Sequence, residues 1–235
     1  MYELIDYLLK DECLVFVGAG PSCEVGLPNW QKLTEKILVE VRARNPRNID
    51  DYETLFAHQK FQELIGKAWT QFSGPFVLSI CKEALADNNG VGPTYSFLAK
   101  HPFRGYLTTN LDSVLHRHLE RQGTAATEFI NTKLDLERVD FAELTSIVKI
   151  HGDCESPGTV VLTAEQYDQI VFDPKFEYLR SFLSAHLTTS RILFIGYSLR
   201  DSDIQFLAKL SRYALKRKTP LYAIVANASD EVIDE

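Results

Sequence analysis

The sequence holds no long apolar run, no paired cysteines and no block of basic residues. No stretch approaches the ~18 consecutive apolar residues that a membrane-spanning helix needs. The opening residues, "MYELIDYLLKDE", have neither the basic start, the apolar centre nor the small-residue cleavage site of a secretory leader. A cytoplasmic protein without a membrane partner is therefore expected. Cys13, Cys23, Cys81 and Cys154 form no C-x-x-C pair, and there is no H-E-x-x-H. Neither a zinc ribbon nor a zinc-protease helix can be built from them, so no metal is expected and the thiols read as reduced. The formal net charge is −7, and the one basic cluster is "KRK" at 216–218. That balance argues against a mainly electrostatic grip on nucleic acid. Internal repeats and low-complexity segments are absent too.

What is present is an alternation of apolar runs and amphipathic stretches. "CLVFV" (13–17), "RGYLTTN" (104–110), "SIVKIHG" (146–152), "RILFIGYS" (191–198) and "PLYAIVAN" (220–227) read as strands. Helical spacing is found in 2–10, in 30–43, through much of 51–100, in the segment after Asn110, in 174–189 and in "SDIQFLAKLSRYALKR". "SGP" (73–75) and "NNGVGP" (88–93) break the long helical stretch, and "VVLTAEQYDQIV" passes from an extended piece into a helix. Continuous apolar strands alternating with helices predict an α/β fold: a doubly wound, Rossmann-like parallel sheet with both faces covered. Residues 1–235 are expected to form a single domain with a small helical module inserted at about 45–90.

In such a sheet, ligands bind beyond the carboxyl ends of the strands. The strand ends here carry a distinctive set: Gly18-Ala19-Gly20, then Asn110 and Asp112, then His151-Gly152-Asp153, then Gly196-Tyr197-Ser198, then Asn227. Taken alone, a histidine after an apolar run reads first as a cap on its strand. Five polar or glycine endings on one rim favour the functional reading, and a histidine on an open rim is expected to pack little. Gly18 and Gly20 would let backbone N–H groups approach an anion. The loop is neither G-x-G-x-x-G nor a P-loop. Cys154 beside His151 is a nucleophile candidate; Asp201 and Asp203 read as helix caps rather than metal ligands; His116 and His118, two apart, face different ways.

"GAGPSCEVGLPNW", "TTNLD", "HGD", "GYS" and "AIVAN" together resemble, in order, the motifs of the sirtuin superfamily. The protein-deacylating members' zinc ribbon, the Asp-Phe-Arg after the first-loop proline and the F-G-E segment have no counterpart here. The pattern is similar to the zinc-free sirtuin-like NAD⁺ hydrolases of bacterial antiphage systems. That resemblance implies cleavage of the N-glycosidic bond of NAD⁺, with release of nicotinamide and ADP-ribose and depletion of cellular NAD⁺. Asn110 would orient the attacking water and hold the ribose, and His151 would act as general base. Asp112 would bind the nicotinamide carboxamide or cap its helix. Gly18, Ala19, Gly20 and Ser22 would line the pyrophosphate, and Gly196, Ser198 and Asn227 the adenosine. NAD⁺ is then substrate, and a homo-oligomer or a partner sensor chain is implied. Two other readings stand beside it: an NAD-dependent deacylase or ADP-ribosyltransferase, and a non-catalytic NAD- or ADP-ribose-binding sensor module.

Overall fold

The computed structural model describes residues 13–86, 89–101, 103–197 and 221–224. The strands are β1 (Cys13–Val17), β2 (Gly105–Thr108), β3 (Ala126–Ile130), β4 (Thr145–Lys149), β5 (Arg191–Ile195) and β6 (Leu221–Ile224). The helices are α1 (Gly20–Glu24), α2 (Trp30–Ala43), α3 (Ile49–Ala57), α4 (Phe61–Phe72), α5 (Gly74–Ala84), α6 (Pro93–Lys100), α7 (Val114–Arg121), α8 (Lys133–Leu136), α9 (Ala164–Phe172) and α10 (Glu177–Thr189). The expected helices at 2–10 and after Ser202 lie outside the described residues.

All the strands pair in parallel, in the order β3-β4-β2-β1-β5-β6. β1 shows why its sequence is apolar throughout. Leu14 and Phe16 face one layer, with Tyr167 and Ile170 of α9 and Leu179, Leu183 and Leu187 of α10. Cys13, Val15 and Val17 face the other, with Tyr95 and Leu98 of α6 and Val114, Leu115 and Leu119 of α7. A strand buried on both sides has no polar alternation to show. Phe16 stacks on Phe194 at 5.2 Å, and each such buried ring contributes on the order of 2 kcal/mol by area.

β3 is the strand that periodicity misses. "ATEFI" lies at the sheet edge with only Phe129 buried, so its composition is mixed rather than apolar.

A third cluster stands apart from the sheet. α2 spans 30–43, as its spacing predicts, and starts where Asn29 Oδ1 accepts from Lys32 N at 2.9 Å. Its buried face, Leu33, Ile37, Leu38 and Val41, packs on α3, α4 and α5 through Tyr52, Leu64, Ile65, Val77 and Cys81. α4 and α5 break at Ser73, which takes φ 103°. At the next residue, a Cβ on Gly74 would sit 2.6 Å from the Trp69 ring, so "SGP" allows the close turn.

The strand order places β2 on one side of β1 and β5 on the other. The chain leaves β1 towards β2 and later returns to β5, so the switch point lies at the carboxyl end of β1.

Gly105 opens β2 under Phe141: a Cβ there would lie 2.2 Å from Phe141 Cδ1. Gly105→Ala should cost about 1–3 kcal/mol by overpacking, a fall in Tm of roughly 2–10 °C at this chain length. Gly158→Ala, where a Cβ would meet nothing within 4 Å, is the control and should melt within about 2 °C of wild type. Equal melting of the two variants in calorimetry would refute the packing argument.

Candidate functional site

The carboxyl ends of β1, β2, β4 and β5 open on a cleft of about 740 Å³, within the size range of small-molecule and cofactor sites. The sheet side supplies Ala19, Gly20, Ser22, Thr109, Asn110, Asp112, His151, Gly196 and Tyr197. The helical layer supplies the opposite wall, with Trp30 and Gln31 of α2 and Lys60 to Glu63 at the start of α4.

Gly18 and Gly20 are required by their neighbours. Gly18 N donates to Ile195 O at 2.9 Å and Gly20 N to Gly196 O at 3.0 Å. A Cβ on Gly18 would lie 2.6 Å from Gly196 O, and one on Gly196, at φ +75°, 2.2 Å from Pro21 Cδ. The two N–H groups expected to face an anion are thus donated inside the protein. α1 has five residues, so its macrodipole is small. The glycine pattern was legible; its physical cause here is backbone-to-backbone packing.

Asn110 is fixed from one side. Its Nδ2 donates to Gly18 O at 2.9 Å, Ser22 Oγ at 3.2 Å and Tyr95 Oη at 3.3 Å. A carbonyl can only accept, so Gly18 O sets which end of the amide is nitrogen. Beneath it, Thr108 Oγ1 donates to Val17 O at 2.8 Å and accepts from Asn110 N at 3.0 Å. Ser22 Oγ also lies 2.7 Å from Tyr95 Oη and donates to Asp112 Oδ2 at 2.9 Å. Burial, then the Asp112 charge, push the Tyr95 phenol well above its ordinary pKa, against the hydrogen bonds of Ser22 and Asn110; it remains a neutral hydroxyl. Asp112 Oδ1 accepts from Val114 N at 3.0 Å. The N-cap of α7 is Ser113, whose side chain makes no capping bond; Asp112, one residue earlier, binds the first helical N–H and also stands on the cleft wall.

His151 is not the loosely packed rim side chain expected. It is 3% exposed and meets Tyr167 edge-on at 4.9 Å. β4 ends at Lys149, and the turn beyond it is tied down: Val161 N donates to His151 O at 3.0 Å, and Asn131 Nδ2 to Ile150 O and Thr159 O, both at 2.8 Å. Gly152 takes φ +73° against Thr159. Asp153 is drawn up by burial, but hydrogen bonds from Lys149 and Glu155 N and the charges of Lys149 and Lys82 hold its pKa below the ordinary value.

Seven of the expected site residues share the cleft wall: Ala19, Gly20, Ser22, Asn110, Asp112, His151 and Gly196. Gly18 stands behind Asn110; Ser198 and Asn227 lie outside the described residues, as do Asp201 and Asp203. Tyr95, Asn131 and Lys149 were not singled out from the sequence, and Tyr197 was named at its strand end without a role. Tyr197 sits within the quoted "GYS" and lies 2.9 Å from Thr109 Oγ1; the other three carry no local signal.

The nucleophilic reading of Cys154 fails: burial raises its pKa to about 11, and it sits in the helical-layer core with Cys81, raised to about 12. Among the described residues no group of three His, Cys, Asp or Glu could hold a metal ion. His118 is buried and bonded to Val114 O, and His116 to Ala126 O.

Residues 104–235 match a protein family described as the SIR2-like domain. The chain is 27% identical over 210 residues to the NAD(+) hydrolase ThsA of Acinetobacter baumannii (strain 532279), covering 87% of this chain and 40% of that protein. It is 26% identical over 212 residues to the NAD(+) hydrolase ThsA of Bacillus cereus (strain MSX-D12), covering 89% and 42%. It is 25% identical over 209 residues to Defense-associated sirtuin 2 of Bacillus subtilis, covering 87% and 20%. The chain thus spans about two fifths of the length of these ThsA proteins.

The Lys149–Asp153 pair gives the site a pH dependence. Asp153's folded pKa lies below its unfolded value of about 3.9. Its ionised form therefore adds stability that is complete above that value and is lost as pH falls through the folded pKa. Asp153→Asn should cost about 3 kcal/mol at pH 7, because the buried Lys149 ammonium then lacks its counter-charge. The gap from wild type should narrow towards pH 3. Urea unfolding at both pH values tests this; a gap that stays constant refutes it.

Proposed function

The chain belongs to the SIR2-like domain family, and from that premise we propose that it hydrolyses NAD⁺ to nicotinamide and ADP-ribose. The observation that carries the reading is the fixed orientation of Asn110 on a cleft wall shared with His151. The names of the ThsA relatives support the same substrate.

With the two Nδ2 hydrogens shared among three protein acceptors, the carboxamide oxygen is the end of Asn110 left for a ligand in the cleft. That oxygen accepts from a water or a ribose hydroxyl and so orients the nucleophile. The C1′–N1 bond breaks with its electron pair passing to the pyridinium nitrogen, so nicotinamide leaves neutral. The ribose gathers positive charge, which the Asp112 carboxylate on the same wall favours. Water bonds to C1′, its proton passes to the His151 imidazole, and His151 returns it to solvent. Ser22, held between Tyr95 and Asp112, keeps the phosphate-side loop in register with Asn110. Water suffices as acceptor, which favours hydrolysis over transfer to a protein.

We further propose that this domain is the NAD⁺-depleting effector of an antiphage system and works as an oligomer or under a partner chain. Size exclusion with light scattering, run beside an NAD⁺ cleavage assay, tests the second point. Rapid turnover by a nanomolar monomer would contradict it.

Incubation with NAD⁺ in the absence of acyl peptide, reading nicotinamide, tests the activity. His151→Ala and Asn110→Ala should each lower the rate roughly 10²–10⁴-fold. The double variant should lose little more than either, because groups acting as one unit are non-additive. His151→Ala should also cost about 1–3 kcal/mol, since the ring is buried against Tyr167. Early melting with full activity per folded molecule would leave His151 a structural cap.

A further inference from the structure

Lys149 closes β4 two residues before His151, and its side chain is 1% exposed. Its neighbours in register are Thr108 on β2 and Ile130 on β3, so it stands inside the sheet rather than at an edge. The ammonium carries three N–H donors, and three acceptors meet it: Leu111 O at 3.0 Å, Ser113 Oγ at 3.3 Å and the Asp153 carboxylate. Leu111 lies between Asn110 and Asp112. Asp153 follows His151 by two residues and is itself fixed, accepting from Glu155 N at 2.8 Å and donating its own N–H to Thr159 Oγ1 at 3.2 Å.

Stability alone does not account for this lysine. Desolvating an ammonium costs several kcal/mol, and replacing a buried ion pair by apolar groups of like volume is often neutral or stabilising. What a methionine could not do is tie the loop after β2 to the loop after β4. Those loops carry Asn110, next to Leu111, and His151, two residues before Asp153.

We infer that Lys149 is a positioning residue: its ammonium is a strut that sets the separation and orientation of Asn110 and His151 across the cleft. It does not line the cleft. The consequence for rate rests on the proposed NAD⁺ hydrolysis; the strut itself does not. A displacement of about 1 Å at a reacting group can cost roughly 10²-fold in rate.

The test compares wild type, Lys149→Met with Asp153→Asn, and Lys149→Gln, as assembled full chains. The Met/Asn pair removes both charges at nearly constant volume and should melt within about 5 °C of wild type. Its kcat should fall about 10²-fold while KM changes less than about threefold. Lys149→Gln keeps a donor on a shorter arm and should lose about tenfold in kcat. A purely structural lysine would lower the melting temperature and leave kcat per folded molecule unchanged. Wild-type kcat in any folded variant overturns the inference, and the hydrolysis reading survives. If wild type releases no nicotinamide, hydrolysis fails instead, and amide hydrogen exchange decides the strut. Faster exchange confined to 109–113 and 151–156 in the variants supports it; unchanged exchange there overturns it.

Discussion

The site depends on two backbones meeting without side chains between them. At the end of β1 the chain must turn into α1, and at the end of β5 it must turn out of the sheet, side by side. Gly18 N and Gly20 N take the carbonyls of Ile195 and Gly196, and Gly196 packs on Pro21. A methyl group at any of the three glycines meets an atom at under 3 Å. This contact fixes where Gly18 O and Ser22 Oγ lie, and those atoms hold Asn110. The orientation of the proposed water-binding amide is thus set by a packing constraint on the neighbouring loop.

The sheet was legible because each central strand is buried on both faces, which leaves an uninterrupted apolar run. β1 and β5 are the clearest cases, in "LVFV" and "ILFI". β3 was not legible for the converse reason: among the described residues it pairs on one side only, and Glu128 and Thr127 need no burial there. The helix at 30–43 was legible from its period; its Asn29 cap emerged only in the structure. Its allegiance was not legible. Period says that one face is buried, and packing shows that this face meets α3–α5 rather than the strands.

Much of the candidate site was legible for a related reason. Parallel strands bring their carboxyl ends to one rim, so residues from 18 to 196 become neighbours once the strands are named. The residues missed are buried polar groups whose partners are distant in sequence. Tyr95 meets Ser22 across 73 residues, and Lys149 meets Leu111 across 38. Before its partners are known, a tyrosine on an amphipathic helix reads as core. A lysine closing an apolar strand reads as its solvated end. The glycines of the first loop were legible in place but not in cause.

The helical layer is more than a lid resting on the rim. Its core extends past α5 to Cys154, Val160 and Leu162, which flank the His151 turn. Val161, between the last two, donates to His151 O, and the same segment leads through Thr163 into α9, whose Tyr167 packs on the imidazole. The burial that seats the helical layer therefore also seats His151. The opposite anchor of the site, Asn110, belongs to the packing of α1 and α6 on the sheet. The two anchors are thus held by separate hydrophobic clusters. Lys149 is bonded to both loops, and its fully buried charge becomes intelligible as the link that neither cluster supplies.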